Sequence, residues 1–231
     1  MKETNCVVLD TETTGMTTTD RVIQYASITV PNSFKKLRDT LTKAVPEDFK
    51  AVMEAMGIDA YRARTESDFF LNLPCTNTYF RSDVVCNPFA LAVHGITPEY
   101  LEKYATDVCT NVHSYLPPTG SILIGHNVKT FDFRMLTQHL SEEEQEEYQY
   151  SFVDTLKLVK HIEKIQKGKF GTENYKLLTL VLYFMPEYKE FFSVETHNAM
   201  SDCEMTLLLL MHLARSYPFV TTISGLAEEL A

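Results

Sequence analysis

No stretch of the 231 residues is apolar for the roughly 18 positions that a membrane helix requires, so no transmembrane segment is expected. The opening residues, Met1-Lys-Glu-Thr-Asn-Cys6, lack the apolar segment of a secretory leader. Cysteines are few and scattered, at 6, 75, 86, 109 and 203, with no Cys-x-x-Cys pair. That spacing argues against a structural zinc site and a disulfide framework, and for reduced thiols in a cytoplasmic protein. Positive charge is short as well. Twenty-one Lys and Arg stand against 31 Asp and Glu, a net charge of −10. Broad non-specific binding to nucleic acid depends on basic surface and is therefore disfavoured. A small polyanion-processing site remains open if metal ions supply the charge. Internal repeats and low-complexity linkers are missing too, which points to one domain spanning 1–231.

What is present is ordinary globular composition, 45% hydrophobic and 23% charged. Strands are expected at Cys6–Asp10, Arg21–Val30, Asn77–Cys86, Ser121–Gly125 and Ser151–Val153, where β-branched and aromatic residues cluster. Helical periodicity marks Pro98–Leu116 in two pieces, Thr130–Leu140, Leu156–Lys167, Lys176–Tyr183 and Asn198–Ser216. The pattern predicts an α/β fold, a mixed five-stranded sheet flanked by helices. The segment 31–76 reads as a helical insertion or lid between strands two and three, with helices at Phe34–Ala44 and Glu47–Met56. About 45 residues seldom hold a core alone.

Three places carry acids where the surrounding pattern is apolar. In Val7-Val8-Leu9-Asp10-Thr11-Glu12-Thr13-Thr14-Gly15 a buried strand runs into two carboxylates. Side chains at i and i+2 share a face, so Asp10 and Glu12 stand side by side and repel. They lie in open solvent or they hold a cation. Asp132, between Phe131 and Phe133 near a helix start, reads by itself as a residue placed for the helix dipole. His197 and Asp202 would diverge by about 140° on a single helix. To share a site, His197 must precede the helix, with Asn198 as its N-cap and Asp202 in an early turn.

In order and context these residues resemble the DEDDh 3′–5′ exonucleases: Asp10-x-Glu12, Asp132 in His126-Asn127-x-x-x-Phe131-Asp132, and His197-x-Ala199-x-x-Asp202. Asn87-Pro88 with Ala92-Val93-His94-Gly95-Ile96-Thr97, Val153-Asp154-Thr155-Leu156 and Tyr175-Lys176-Leu177-Leu178-Thr179-Leu180 are similar to further segments of that family. The likeness runs from about Cys6 to Ala214 and is interrupted by 31–76. It implies a ribonuclease H-like fold with Asp10, Glu12, Asp132 and Asp202 converging on two Mg²⁺ or Mn²⁺ ions and His197 as general base. It implies release of nucleoside 5′-monophosphates from a 3′ end, the terminal nucleotide lying on the backbone around Thr11 and against Met16, Val93, His94 and Phe131. Those last four could equally be plain core residues. His126 and Asn127 are expected to support the strand end.

The expected partner is single-stranded nucleic acid or a 3′ end, with DNA favoured. Alternatives are an exoribonuclease on short RNA or RNA 3′ ends, and a proofreading subunit held by a polymerase or other replication or repair partner. The acidic run Ser141–Glu147 reads as a solvated face. Two basic groups could hold the strand upstream: Lys157, Lys160, Lys164, Lys167 and Lys169, and, in the insertion, Lys35, Lys36, Arg38, Lys43, Arg62 and Arg64.

Overall fold

The computed structural model describes residues 4–41, 55–70, 72–192 and 197–230. Six strands form one sheet: β1 Cys6–Thr13, β2 Val22–Val30, β3 Cys75–Arg81, β4 Ala105–Val108, β5 Ile122–Gly125 and β6 Ser151–Asp154. Their order is β4-β3-β2-β1-β5-β6. β2 pairs antiparallel with both β1 and β3, while the β3–β4, β1–β5 and β5–β6 pairs are parallel. This is the mixed sheet of a ribonuclease H-like α/β fold, with six strands where the sequence pattern indicated five. The added strand, β4, lies inside the stretch read as helical. Thr97 caps the helix Pro98–Tyr104 through its hydroxyl, and the backbone turns extended at Ala105. The edge strand that follows has only four residues, three of them paired with β3, too few to register as a periodic pattern.

Other boundaries moved for local reasons. β1 runs on through Thr13, so Asp10 and Glu12 lie within the paired strand and not beyond it. β3 leaves the sheet at Arg81, short of the expected Cys86. A final helix, Ile223–Glu229, had no counterpart in the sequence reading.

The strand alternation of β1 splits the core. Cys6 and Val8 face one layer with Ala26, Ile28, Ile124 and Val153, covered by the helices Thr155–Gln166, Leu177–Phe184 and Ala199–Leu213. Leu9 faces the other with Val22, Tyr25, Leu123, Met135 and Leu136, from the helix Asp132–Thr137. The helix Ala199–Leu213 is buried nearly all round, as its Leu-Leu-Leu-Leu-Met run requires, and packs on β1 and β2.

The insertion joins this core. Phe34 and Leu37 of the helix Phe34–Asp39 are buried in it. Phe69 and Phe70 are fully buried, and the Phe69 ring sits 4.7 Å from that of Phe191 and 5.3 Å from that of Phe192. The described parts of the segment therefore pack as part of the core. The helix expected at Glu47–Met56 lies, apart from its last two residues, outside the described residues, as does Lys43. Among the described residues no helix is long and apolar enough to cross a membrane.

Candidate active site

Antiparallel β2 and parallel β5 flank β1, and a crevice is expected at the carboxyl ends of strands where the sheet order reverses. Asp10 and Glu12 stand on the β1 face that looks toward the helix Ala199–Leu213, both half-buried. Thr11 points to the opposite face and is buried, its hydroxyl donating to Asp132 Oδ1 at 2.8 Å. One strand thus carries two acids on one side and grips a third from the other.

Asp132 reaches that point through a tight turn. At Gly125, the end of β5, a Cβ would lie 2.6 Å from Val128 Cβ and 3.1 Å from the Leu9 carbonyl, so only glycine fits. Asn127 follows at φ 71°, a left-handed conformation that asparagine tolerates, its N–H donating to Asp154 Oδ1 at 3.0 Å. His126 bridges the Thr155 hydroxyl (2.9 Å) and the Tyr175 carbonyl (2.8 Å). His126 and Asn127 support the strand end, as their position in the sequence suggested. Gly15 at the other rim has a similar cause. A Cβ there would meet the Asp20 carboxylate at 2.6 Å, and that carboxylate closes the loop by accepting from Thr14, from the Thr17 backbone and from the Thr17 hydroxyl.

Asp202 lies in the first turn of the helix Ala199–Leu213, whose N-cap is Asn198, with Oδ1 accepting from the Met200 N–H at 3.2 Å. His197 precedes the cap at φ 58° and is exposed. Ligand-capable atoms of Glu12, His197 and Asp202 all lie within 4.8 Å of one another.

The acids behave as one electrostatic unit. Burial, and then the charges of Asp132, Asp202 and Glu12, push the Asp10 carboxyl well above the carboxylate range. Burial and Asp202 do the same to Glu12, with Arg62 opposing and Asp132 adding. Asp132 is raised to about 7 by burial, against the hydrogen bond from Thr11. Although His197 as a whole residue is exposed, partial desolvation of its imidazole, and then the charges of Lys176 and Arg62, shift the ring down, which favours its neutral form. Carboxylate oxygens crowded until they retain protons, with one imidazole beside them, are a donor set for a hard divalent cation. The residues fit such an ion.

Beside the acids a cavity of about 380 Å³ is lined by Glu12, Thr13, Gly15, Met16, Asn87, Phe89, Ala90, Val93, His94 and Phe131. Met16, Val93, His94 and Phe131, drawn from four places in the sequence, meet there. Thr11 is not among the lining residues, and its hydroxyl is bonded to Asp132. His94 is buried, its Nδ1 accepting from the Ile96 N–H at 2.9 Å, so Nε2 donates to the Thr13 carbonyl at 3.2 Å. Burial holds its pKa down to about 4, so the ring is neutral. Met16, 74% exposed, and Phe89, 84% exposed, form an open apolar rim. Phe89 escaped the sequence reading, although its place just after Asn87-Pro88, in the first turn of the helix Pro88–His94, was a usable signal.

The two basic groups fare differently. Lys157, Lys160 and Lys164 are exposed on the helix Thr155–Gln166, and Lys160 Nζ lies 5.8 Å above the Tyr175 ring. Arg64, in contrast, is buried in an ion pair with Glu204 at 2.9 Å and is withdrawn from any surface patch. Arg62 belongs to the site itself, where it donates to the carbonyls of His94 (2.6 Å) and His197 (3.1 Å).

The family model described as exonuclease, RNase T, matches residues 58–210, about two-thirds of the chain. It takes in Asp132, His197 and Asp202 and begins after β1. The fold is similar to that of E. coli exonuclease I in its zinc-ion-bound complex with single-stranded DNA, at 15% identity and a TM-score of 0.61, covering 95% of this chain and 42% of that one. The E. coli exonuclease I complex with a dA16 oligonucleotide gives 16% identity and a TM-score of 0.58, covering 94% and 42%. The chain therefore spans about two-fifths of the length of those structures. No curated protein sequence matches. Matched by the family model over well more than half its length, this chain belongs to the RNase T exonuclease family, of the DEDDh type.

Proposed function

We propose that this protein is a 3′–5′ exonuclease that releases nucleoside 5′-monophosphates from single-stranded nucleic acid, DNA in preference to RNA. The observation that carries the reading is the convergence of Asp10, Glu12, Asp132 and Asp202 with His197 next to Glu12 and Asp202. The preference for DNA is supported by the similar structures, which are complexes of exonuclease I with single-stranded DNA or an oligonucleotide. A polymerase partner has no support from any of these comparisons.

Asp10, Glu12, Asp132 and Asp202 would hold two Mg²⁺ or Mn²⁺ ions, which when bound would bring the pKa of a water toward neutrality and offset charge at the scissile phosphate. His197, neutral at pH 7, takes a proton from the attacking water onto a ring nitrogen as general base. Thr11 fixes Asp132 through its hydroxyl, so the acid is oriented before substrate arrives. Met16, Phe89, Val93 and Phe131 offer the terminal nucleotide an apolar wall. Lys157 and Lys160 hold phosphates farther up the strand.

The test is digestion of matched single-stranded DNA, duplex DNA and RNA, labelled in turn at each end, with Mg²⁺, Mn²⁺ or EDTA. Mononucleotides should leave from the 3′ end of single-stranded DNA only when metal is present. His197→Ala should lose about 10²–10⁴-fold in rate. Undiminished cleavage in EDTA, or a near wild-type rate for His197→Ala at pH 7, would refute the reading.

A further inference from the structure

His197 is held in a backbone conformation that a residue with a side chain seldom keeps without support, at φ 58°. Its support comes from the insertion. Arg62, the last residue of the helix Ile58–Arg62, sends Nη2 to the His197 carbonyl at 3.1 Å. In return Asn198 Nδ2 donates to the Arg62 carbonyl at 3.2 Å. The two residues that start the helix Ala199–Leu213 are thus tied to Arg62 in both directions.

Arg62 is itself anchored. Its carbonyl also accepts from Asn77 Nδ2 at 3.0 Å and from the Tyr79 hydroxyl at 3.1 Å, both on β3. The same Nη2 reaches the His94 carbonyl at 2.6 Å, at the end of the helix that walls the nucleotide cavity. A planar guanidinium presents its N–H groups at fixed angles, whereas the donors of an ammonium rotate freely.

We propose that Arg62 is a positioning residue: by bonding the carbonyls of His94 and His197 it fixes the imidazole beside Glu12 and Asp202 and couples that placement to the nucleotide cavity. This rests on the exonuclease reading above. The positive charge beside Glu12 is a second effect with the opposite sign for metal binding. Losing that charge makes the potential at the acids more negative, so a divalent ion is attracted as strongly or more strongly, while a misplaced His197 slows turnover. The two effects therefore separate.

The experiment compares wild type, Arg62→Ala and Arg62→Lys in the full chain. It measures kcat and KM on single-stranded DNA at saturating Mn²⁺, Mn²⁺ affinity by calorimetry, and hydrogen exchange of the peptide covering 197–201 without substrate. For Arg62→Ala the expected result is a kcat lowered about 10²-fold, the cost of an ångström-scale misplacement. KM should stay close to wild type, Mn²⁺ affinity should be equal or higher, and exchange at 197–201 faster. Arg62→Lys, able to reach one carbonyl, should recover part of the rate. A raised KM with kcat retained would make Arg62 a phosphate contact and overturn the proposal, as would unchanged exchange at 197–201. If Arg62→Ala does not fold, Arg62→Lys decides by the same readouts. If the wild type shows no metal-dependent exonuclease activity, the functional reading fails, and the exchange measurement still decides whether Arg62 holds His197.

Discussion

Arg64→Ala removes a cation whose partner cannot leave. The Glu204 carboxylate is fully buried in the middle of the helix Ala199–Leu213 and takes three hydrogen bonds from the insertion: Arg64 Nη2 at 2.9 Å, the Ser67 hydroxyl at 2.7 Å and the Asp68 N–H at 2.7 Å. The Arg64 side chain is 8% exposed and its guanidinium stacks 4.4 Å from the Tyr61 ring. Burial already raises the Glu204 pKa above its ordinary value, and the Arg64 charge opposes that rise. Breaking a buried pair from one side costs about 3–5 kcal/mol, because an uncompensated charge remains. At about 2–4 °C per kcal/mol for a chain of this size, Tm should fall by about 6–20 °C at pH 7. The sign of the pH dependence follows. Without Arg64 the folded-state pKa of Glu204 rises further, so the deficit is full above that pKa and shrinks as pH falls toward the unfolded value, about 4.3. Replacing both partners, Arg64→Met with Glu204→Leu, should cost less than Arg64→Ala alone. The assay is thermal unfolding by circular dichroism from pH 4 to 8. A Tm change under about 2 °C for Arg64→Ala at pH 7 would show that the insertion is not docked through this pair, since it corresponds to about 1 kcal/mol or less.

The clustered acids predict a second pH effect. Folded pKa values raised by burial and mutual repulsion mean that the chelated protein loses stability as pH climbs from about 4, the unfolded value, through about 7, where Asp132 titrates. Asp10→Asn should raise Tm at pH 7.5 in EDTA and, with Mg²⁺ or Mn²⁺ present, abolish cleavage; an unchanged or lowered Tm in EDTA would show that the acids do not repel one another. Neutralising Lys157, Lys160 and Lys164 together should flatten the salt dependence of binding to a long single strand, by a slope of about 0.7 per lost phosphate contact, and spare a dinucleotide. An unchanged slope removes that helix face from the strand's path.

The site was legible in proportion to how local its signals are. The alternation that buries Val8 also fixes Asp10 and Glu12 on one face, so that pair could be read from four residues. The Asn198 cap and the Leu-rich run after it told where the helix begins, and so that His197 must precede it while Asp202 follows. Asp132 was legible only through resemblance, because an acid in a first helical turn looks the same whether it serves the dipole or a site. Its grip by Thr11 joins residues 121 positions apart. β4 was hidden because an edge strand of four residues carries no period, and Phe69 because its partners, Phe191 and Phe192, lie more than a hundred residues on.

Arg62 and Arg64 show why the insertion resisted the same method. From the sequence they are two of several cations in a segment without a recognised pattern, and the charge shortage elsewhere made a phosphate-binding patch the natural assignment. Their opposite fates depend on which acid the fold presents to each. Arg64 meets Glu204 inside the packed helix and becomes a structural tie. Arg62, two residues earlier at a helix end, emerges beside Glu12, where its hydrogen bonds go to backbone carbonyls and its charge falls on the acids. A segment held by one arginine in the core and by the next at the site gives the active-site geometry a dependence on the insertion that no motif spacing contains.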